Sequence, residues 1–130
     1  MIKHLPTGAV LAIHEQVMLA HYDGLSLRGR ALLASAVASP KATFSGEAII
    51  SDGVELAAAY SFFICENNPF IDSNRRTALA SCLVLLSEHS QLENIHLDVD
   101  AWEAFFSNLA SSDLGRNNVM SLLRLLVNES

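Results

Sequence analysis

Two long apolar runs and the polar loop between them are the strongest pattern in the chain. Residues 54–65 and 78–86 are apolar on nearly every side, whereas residues 67–76 (NNPFIDSNRR) carry polar and basic side chains. Such runs are typical of helices surrounded by protein, and both are shorter than the about 20 residues that cross a bilayer. The pattern therefore predicts two buried core helices joined by a polar loop.

Narrower apolar stripes on either side of this pair predict amphipathic helices. The first covers about residues 7–21, and the second follows a turn, is capped by Ser26 and ends at Pro40. Two more stripes predict a helix at 98–109, capped by Asp98 or Asp100, and a last helix at 119–126. The fold class that follows is all-α, a compact bundle of about six helices.

Residues 41–50 interrupt the helical pattern. Thr43 to Gly46 and Ile49 to Gly53 read as an irregular or β-like connection, in the form of a short hairpin between turn residues. The length of 130 residues suits one domain, and no repeat or linker divides the chain. We therefore expect a single domain over residues 1–130.

Composition narrows the classes of partner and the location. The net charge is −6 and the pI is near 5.2, which argues against direct nucleic-acid binding and against an anionic membrane surface. Cys65 and Cys82 both lie in apolar segments, where free cysteines behave as small buried hydrophobes. With no secretory pattern near Met1 and no disulfide framework, the sequence predicts a cytoplasmic protein.

The polar loop holds the candidate chemistry. Arg75 and Arg76 stand at the start of the second core helix, where the backbone N–H groups and the helix dipole attract anions. Asp72 is a carboxylate suited to Mg²⁺, and Phe70 is expected to anchor the loop as an apolar plug, with Pro69 holding residue 68 extended. The alternative is structural: Asp72 caps the helix and the arginines are solvated surface charges.

The string from Asn68 to Ala78 (NPFIDSNRRTA) closely resembles the signature of the Fic/Doc (Fido) family, His-x-Phe-x-Asp-Ala/Gly-Asn-Lys/Gly-Arg. Residues 14–24 and 30–40 are also similar to Doc-type members. The resemblance implies an all-helical Fido fold and transfer of part of ATP to a hydroxyl of a target protein. It implies that Asp72 holds Mg²⁺, that Asn74 contacts phosphate or orients Asp72, and that Ser73, Asn74, Arg75 and Arg76 form the nucleotide site.

Two branches of the family remain open. Arg75 in place of Gly, and Leu79 where AMP-transferring members carry a second Arg, favour the Doc (death-on-curing) toxin branch, which delivers the γ-phosphoryl group to a translation elongation factor. The alternatives are an AMP transferase of the Fic type and a pseudoenzyme that only binds nucleotide or a partner. The resemblance also implies that residues 41–50 form the target-aligning flap, with Phe44 and Glu47 as candidates, and that a separate antitoxin chain restrains the protein.

Position 68 departs from the signature. The family's general base is a His, and Asn68 cannot take a proton from the attacking hydroxyl near neutral pH. Loss of a general base lowers the reaction rate by a factor of about 10²–10⁴, so the chain is expected to bind nucleotide but to transfer part of it slowly. An introduced substitution and a natural loss both fit, and the otherwise intact motif favours the first. His14, His21, His89 and His96 could reach the site only through the fold.

Overall fold

A computed structural model describes residues 2–19, 27–44, 47–48, 50, 52–71, 73–89, 91, 102, 104–105 and 115–128. Within these ranges the fold is all-α, as predicted. The helices are α1 (Thr7–Leu19), α2 (Arg30–Ala38), α3 (Gly53–Asn67), α4 (Asn74–Glu88) and α5 (Arg116–Asn128). Trp102 and Phe105 are also helical and buried, which agrees with the predicted helix there, while its candidate caps Asp98 and Asp100 lie outside the described residues.

Helix α3 is the centre of the bundle. Its residues from Leu56 to Ser61 are all buried, which confirms the prediction from its apolar sequence. It packs along α4 and also contacts α2 and α5, while α1 lies against α4. Asp52 caps its start by accepting a hydrogen bond from the N–H of Glu55 at 2.8 Å. The two predicted core helices are thus antiparallel neighbours joined by the polar loop.

A small hairpin interrupts the helices, as the sequence indicates. After a 3-10 turn at Ser39–Lys41, strand β1 (Thr43–Phe44) pairs antiparallel with β2 (Glu47–Ala48), with Phe44 opposite Glu47. Pro40 in the turn is buried beside α3. Helix α2 starts later than predicted, because Gly29 is its N-cap and contributes no side-chain bond; Ser26 lies outside the described residues. Among the described helices, none has the length and apolar character to cross a membrane.

Candidate active site

Phe70 anchors the polar loop, as predicted. Its ring is 1 % exposed and stacks on His14 of α1, with ring centroids 3.6 Å apart and an interplanar angle of 8°. The buried His14 is held in turn because its Nδ1 lies 2.9 Å from Oγ1 of Thr77 in α4. One aromatic plug therefore connects the loop to α1 and α4 at the same point.

Asn74 closes the loop onto itself. Its Oδ1 accepts a hydrogen bond from the backbone N–H of Phe70 at 3.1 Å, and its Nδ2 donates to the carbonyl of Phe70 at 2.9 Å. The side chain thereby imitates a backbone pairing across four residues. Both ends of the amide are used on the backbone of Phe70, so this side chain holds the loop closed.

Asn68 ends α3 in a left-handed conformation, with φ 46° and ψ 58°, so the prediction that Pro69 keeps it extended is wrong. Its N–H donates to the carbonyl of Ile64 at 3.1 Å, which is the bond of a helix C-cap. Asn tolerates the left-handed region better than most residues, and here the end of the helix overrides the preference set by the following proline. The residue is exposed.

Ser73 begins α4 and is also left-handed, with φ 63°. It is the N-cap, so the alternative in which Asp72 caps the helix is wrong, and its carbonyl accepts the first helical bond from the N–H of Thr77 at 2.9 Å. Arg75 and Arg76 follow in the first turn, and both are exposed. Asp72 itself lies outside the described residues. The loop thus presents two guanidinium groups beside the N–H groups that a first turn leaves without intrahelical acceptors.

The charges of this turn are not neutralised by any ion pair within the described ranges. The two ion pairs found there join Lys3 to Glu88 and Arg124 to Asp52, both away from the loop. Arg75 also acts on Cys65 of α3: burial raises the pKa of that thiol to about 11, and the nearby guanidinium opposes the rise. The positive end of α4 is therefore a place where an anion is favoured.

Comparison with known proteins identifies the family of the chain. The model of the Fic/DOC family matches residues 4–86, which is more than half of the chain. The chain belongs to the Fic/DOC family. None of the curated proteins compared with it matches. The matched range begins just before α1 and ends in the last turn of α4, so it includes the loop, the hairpin and nearly all of both core helices.

Fic/DOC proteins use nucleotide substrates together with a metal ion, and the described residues at the start of α4 fit a nucleotide. Two exposed arginines at a helix start suit the oxygens of a phosphate chain, which they can bind in a bidentate manner. No cluster of three or more metal-ligating side chains lies among the described residues. Mg²⁺ needs no such cluster, because it is commonly held by one or two carboxylates, phosphate oxygens and water. The sequence offers Asp72 as such a carboxylate, and this residue lies outside the described ones.

Neither His14 nor His89 takes the place of the family's base. His14 is fully buried under Phe70. His89 lies at the far end of α4, where its Nε2 accepts a hydrogen bond from the N–H of Lys3 at 2.9 Å. His21 and His96 lie outside the described residues. Position 68 thus carries a carboxamide, and neither of these two histidines supplies a general base there.

Sequence reasoning missed Arg28. Its Nε donates to the carbonyl of Asn68 at 2.8 Å, and one terminal nitrogen donates to the carbonyl of Asn67 at 3.0 Å. The backbone N–H of Arg28 also donates to the carbonyl of Pro69 at 2.7 Å. The residue is 40 positions from Asn68, so no local pattern could have indicated the contact. Its nearness to Arg30 was the only available signal, and it pointed to no partner.

Proposed function

We propose that the chain is a Doc-type member of the family that binds magnesium-ATP at the start of α4. It is built to pass the γ-phosphoryl group to a hydroxyl of a target protein, and Asn68 disables that step. The observation that carries the proposal is the pair of exposed guanidiniums of Arg75 and Arg76, set on a loop that Asn74 and Phe70 hold in place. Arginines without a described counter-charge on an ordered loop favour an anionic ligand over a structural role.

The proposed roles follow from position. Arg75, Arg76 and the first-turn N–H groups of α4 would bind the phosphate chain, with Ser73 at the N-cap beside them. Asp72 would hold Mg²⁺, which supplies charge neutralisation at the phosphates. Asn74 would keep the loop closed. Transfer would break the bond between the β-phosphate oxygen and the γ-phosphorus and form one from the target hydroxyl, whose proton needs an acceptor at position 68.

Asn68 is the reason for proposing a disabled enzyme. A carboxamide cannot accept the hydroxyl proton near neutral pH, while the groups proposed for phosphate binding are untouched. The hairpin of β1 and β2 would align the target segment, with the candidates Phe44 and Glu47 facing each other in its register. In the toxin reading the target is a translation factor in the cytoplasm, and a separate antitoxin chain docks near the hairpin and the loop.

Binding is tested first by calorimetry of the chain with ATP and Mg²⁺. Arg76→Ala should weaken the affinity by about tenfold or more, because a hydrogen bond to a charged group contributes about 1.5–3 kcal/mol. Lys3→Ala is the matched control: it also removes one positive charge, but Lys3 pairs with Glu88 at the opposite end of α4. No heat with the unaltered chain, or equal losses in both variants, would refute nucleotide binding at this site.

Chemistry is tested with Asn68→His and a cell lysate. γ-Labelled ATP should transfer its label to protein, and the rate should rise by about 10²–10⁴ over the unaltered chain. The double change Asn68→His with Arg76→Ala should remove the label again. Transfer from α-labelled ATP instead would identify an AMP transferase, and no transfer from either would support a nucleotide-binding pseudoenzyme.

A further inference from the structure

Arg28 binds the backbone of residue 68, which is the position at which the family's base would stand. The guanidinium bridges the carbonyls of Asn67 and Asn68 at 3.0 and 2.8 Å. Behind it, the backbone N–H groups of Arg28 and Gly29 donate to the carbonyl of Pro69, at 2.7 and 3.4 Å. Residues 27–29 therefore lie along residues 67–70 as a short strap.

The contacts of this strap extend to Phe70. Leu27 forms an antiparallel bridge with Phe70, and the amide of Asn67 donates to the carbonyl of Leu32 in α2 at 3.1 Å. The loop from the end of α3 to Phe70 is thus fixed from one side by the segment that leads into α2. Of these contacts, the guanidinium of Arg28 makes the only one that is charged and that reaches residue 68 directly.

The chemistry of a helix end explains why an arginine suits this place. The last carbonyls of a helix lack intrahelical donors and carry the negative end of the helix dipole, so a cation that donates hydrogen bonds is favoured there. Arginine offers two parallel N–H groups in a rigid plane, which matches two successive carbonyls. The same bond fixes the left-handed backbone of residue 68, because that residue's carbonyl is one of the two acceptors.

We infer that Arg28 is a positioning residue of the transfer site, which sets the backbone of residue 68 and so aims whatever side chain stands there. It acts through the loop and does not bind the phosphate chain. This inference rests on the proposed function for its catalytic consequence, while the clamp itself can be tested without nucleotide.

The first test is hydrogen exchange of the backbone amides in the unaltered sequence and in Arg28→Ala, Arg28→Lys and Arg30→Ala. The N–H groups of Asn68 and Phe70 are the reporters, since their acceptors are the carbonyl of Ile64 and Oδ1 of Asn74. Arg28→Ala should speed both by about tenfold. Arg28→Lys should give a smaller change, and Arg30→Ala, an exposed arginine two residues on, should give none.

The second test uses Asn68→His as the active background and measures kcat and KM for ATP. Adding Arg28→Ala should lower kcat by about tenfold or more, with KM changed less than twofold, because the groups proposed to bind the phosphates lie on α4. Adding Arg28→Lys in place of Arg28→Ala should lower kcat less. Arg28 is exposed, so these variants are expected to fold.

The outcomes separate the two proposals. A rise in KM with unchanged kcat would show that Arg28 binds nucleotide and would overturn the inference. Unchanged exchange at Asn68 and Phe70 would overturn it as well. If the unaltered chain binds no ATP while Arg28→Ala still speeds exchange, the proposed function fails and the clamp stands as structure without a catalytic role.

Discussion

The amide of Asn74 is predicted to contribute more to the stability of the loop than to nucleotide binding. It makes two hydrogen bonds to the backbone of Phe70, at 3.1 and 2.9 Å, in a partly buried setting. Each such bond contributes about 0.5–1.5 kcal/mol net, so deleting both costs about 2 kcal/mol. Alanine's better helix propensity offsets about 0.5 kcal/mol of this, and Asn74→Ala should lower the free energy of unfolding by about 1.5 kcal/mol.

Urea unfolding followed by circular dichroism measures this difference. A chain of this size that folds as one domain is expected to unfold in one transition with a slope of about 1–3 kcal/mol per molar urea. The midpoint of Asn74→Ala should therefore fall by about 0.5–1.5 M. The slope should stay the same, because the loop contributes little of the surface exposed on unfolding.

Asn118→Ala is the matched control, since Asn118 is an exposed asparagine in the first turn of α5. The same deletion there should change stability by no more than about 0.5 kcal/mol. A change just as small in Asn74→Ala, together with a tenfold weaker affinity for ATP, would contradict the assignment. It would show that the amide binds phosphate, which is the other role that the family resemblance allows.

Two further predictions concern backbone space and pH. Gly53→Ala should destabilise the fold by about 1–3 kcal/mol, because the new methyl group would overlap the side chain of His89, whereas Gly8→Ala, with open space around it, should stabilise by about 0.5–1 kcal/mol. Burial, with Lys41 and His89 nearby, lowers the pKa of His4 below 6.5, so the unfolded chain takes up a proton first and stability should fall as the pH drops through the ordinary value of 6.5.

Urea midpoints test both. The glycine reasoning is contradicted if the two alanine variants shift stability in the same direction. The histidine reasoning is contradicted if His4→Gln, which cannot titrate, loses as much stability over that pH range as the unaltered chain. Asp52 does not complicate this comparison. Burial raises the pKa of its carboxyl group, but the N–H of Glu55 and the guanidinium of Arg124 lower it by more. The pKa of Asp52 therefore lies below the ordinary value of 3.8, outside this pH range.

The helices of the core could be predicted because their signals are local. The run from Val54 to Cys65 is apolar on nearly every side, and the structure surrounds it with α2, α4 and α5. Phe70 could be recognised as a plug for the same reason, since a single large apolar side chain in a polar loop has few other uses. The hairpin at residues 43–48 followed from turn residues on either side of a short β-like stretch.

The conformation of the loop could not be predicted, because distant residues decide it. Asn68 precedes a proline, and the local rule favours an extended backbone. The left-handed conformation is fixed instead by the end of α3 and by Arg28, which is 40 residues away. The partner of Phe70 was hidden for the same reason: His14 is 56 positions earlier and becomes its stacking partner only when α1 packs on α4.

The two halves of the site are held by different means, and this explains how one can lose its chemistry while the other persists. Arg75 and Arg76 are placed by the start of α4 and by the bonds of Asn74, none of which involves the side chain at position 68. Among the described residues, Asn68 takes part in hydrogen bonds only through its backbone. A change from His to Asn there would remove a base and leave every one of these contacts in place, so phosphate binding and proton transfer should respond independently to substitution.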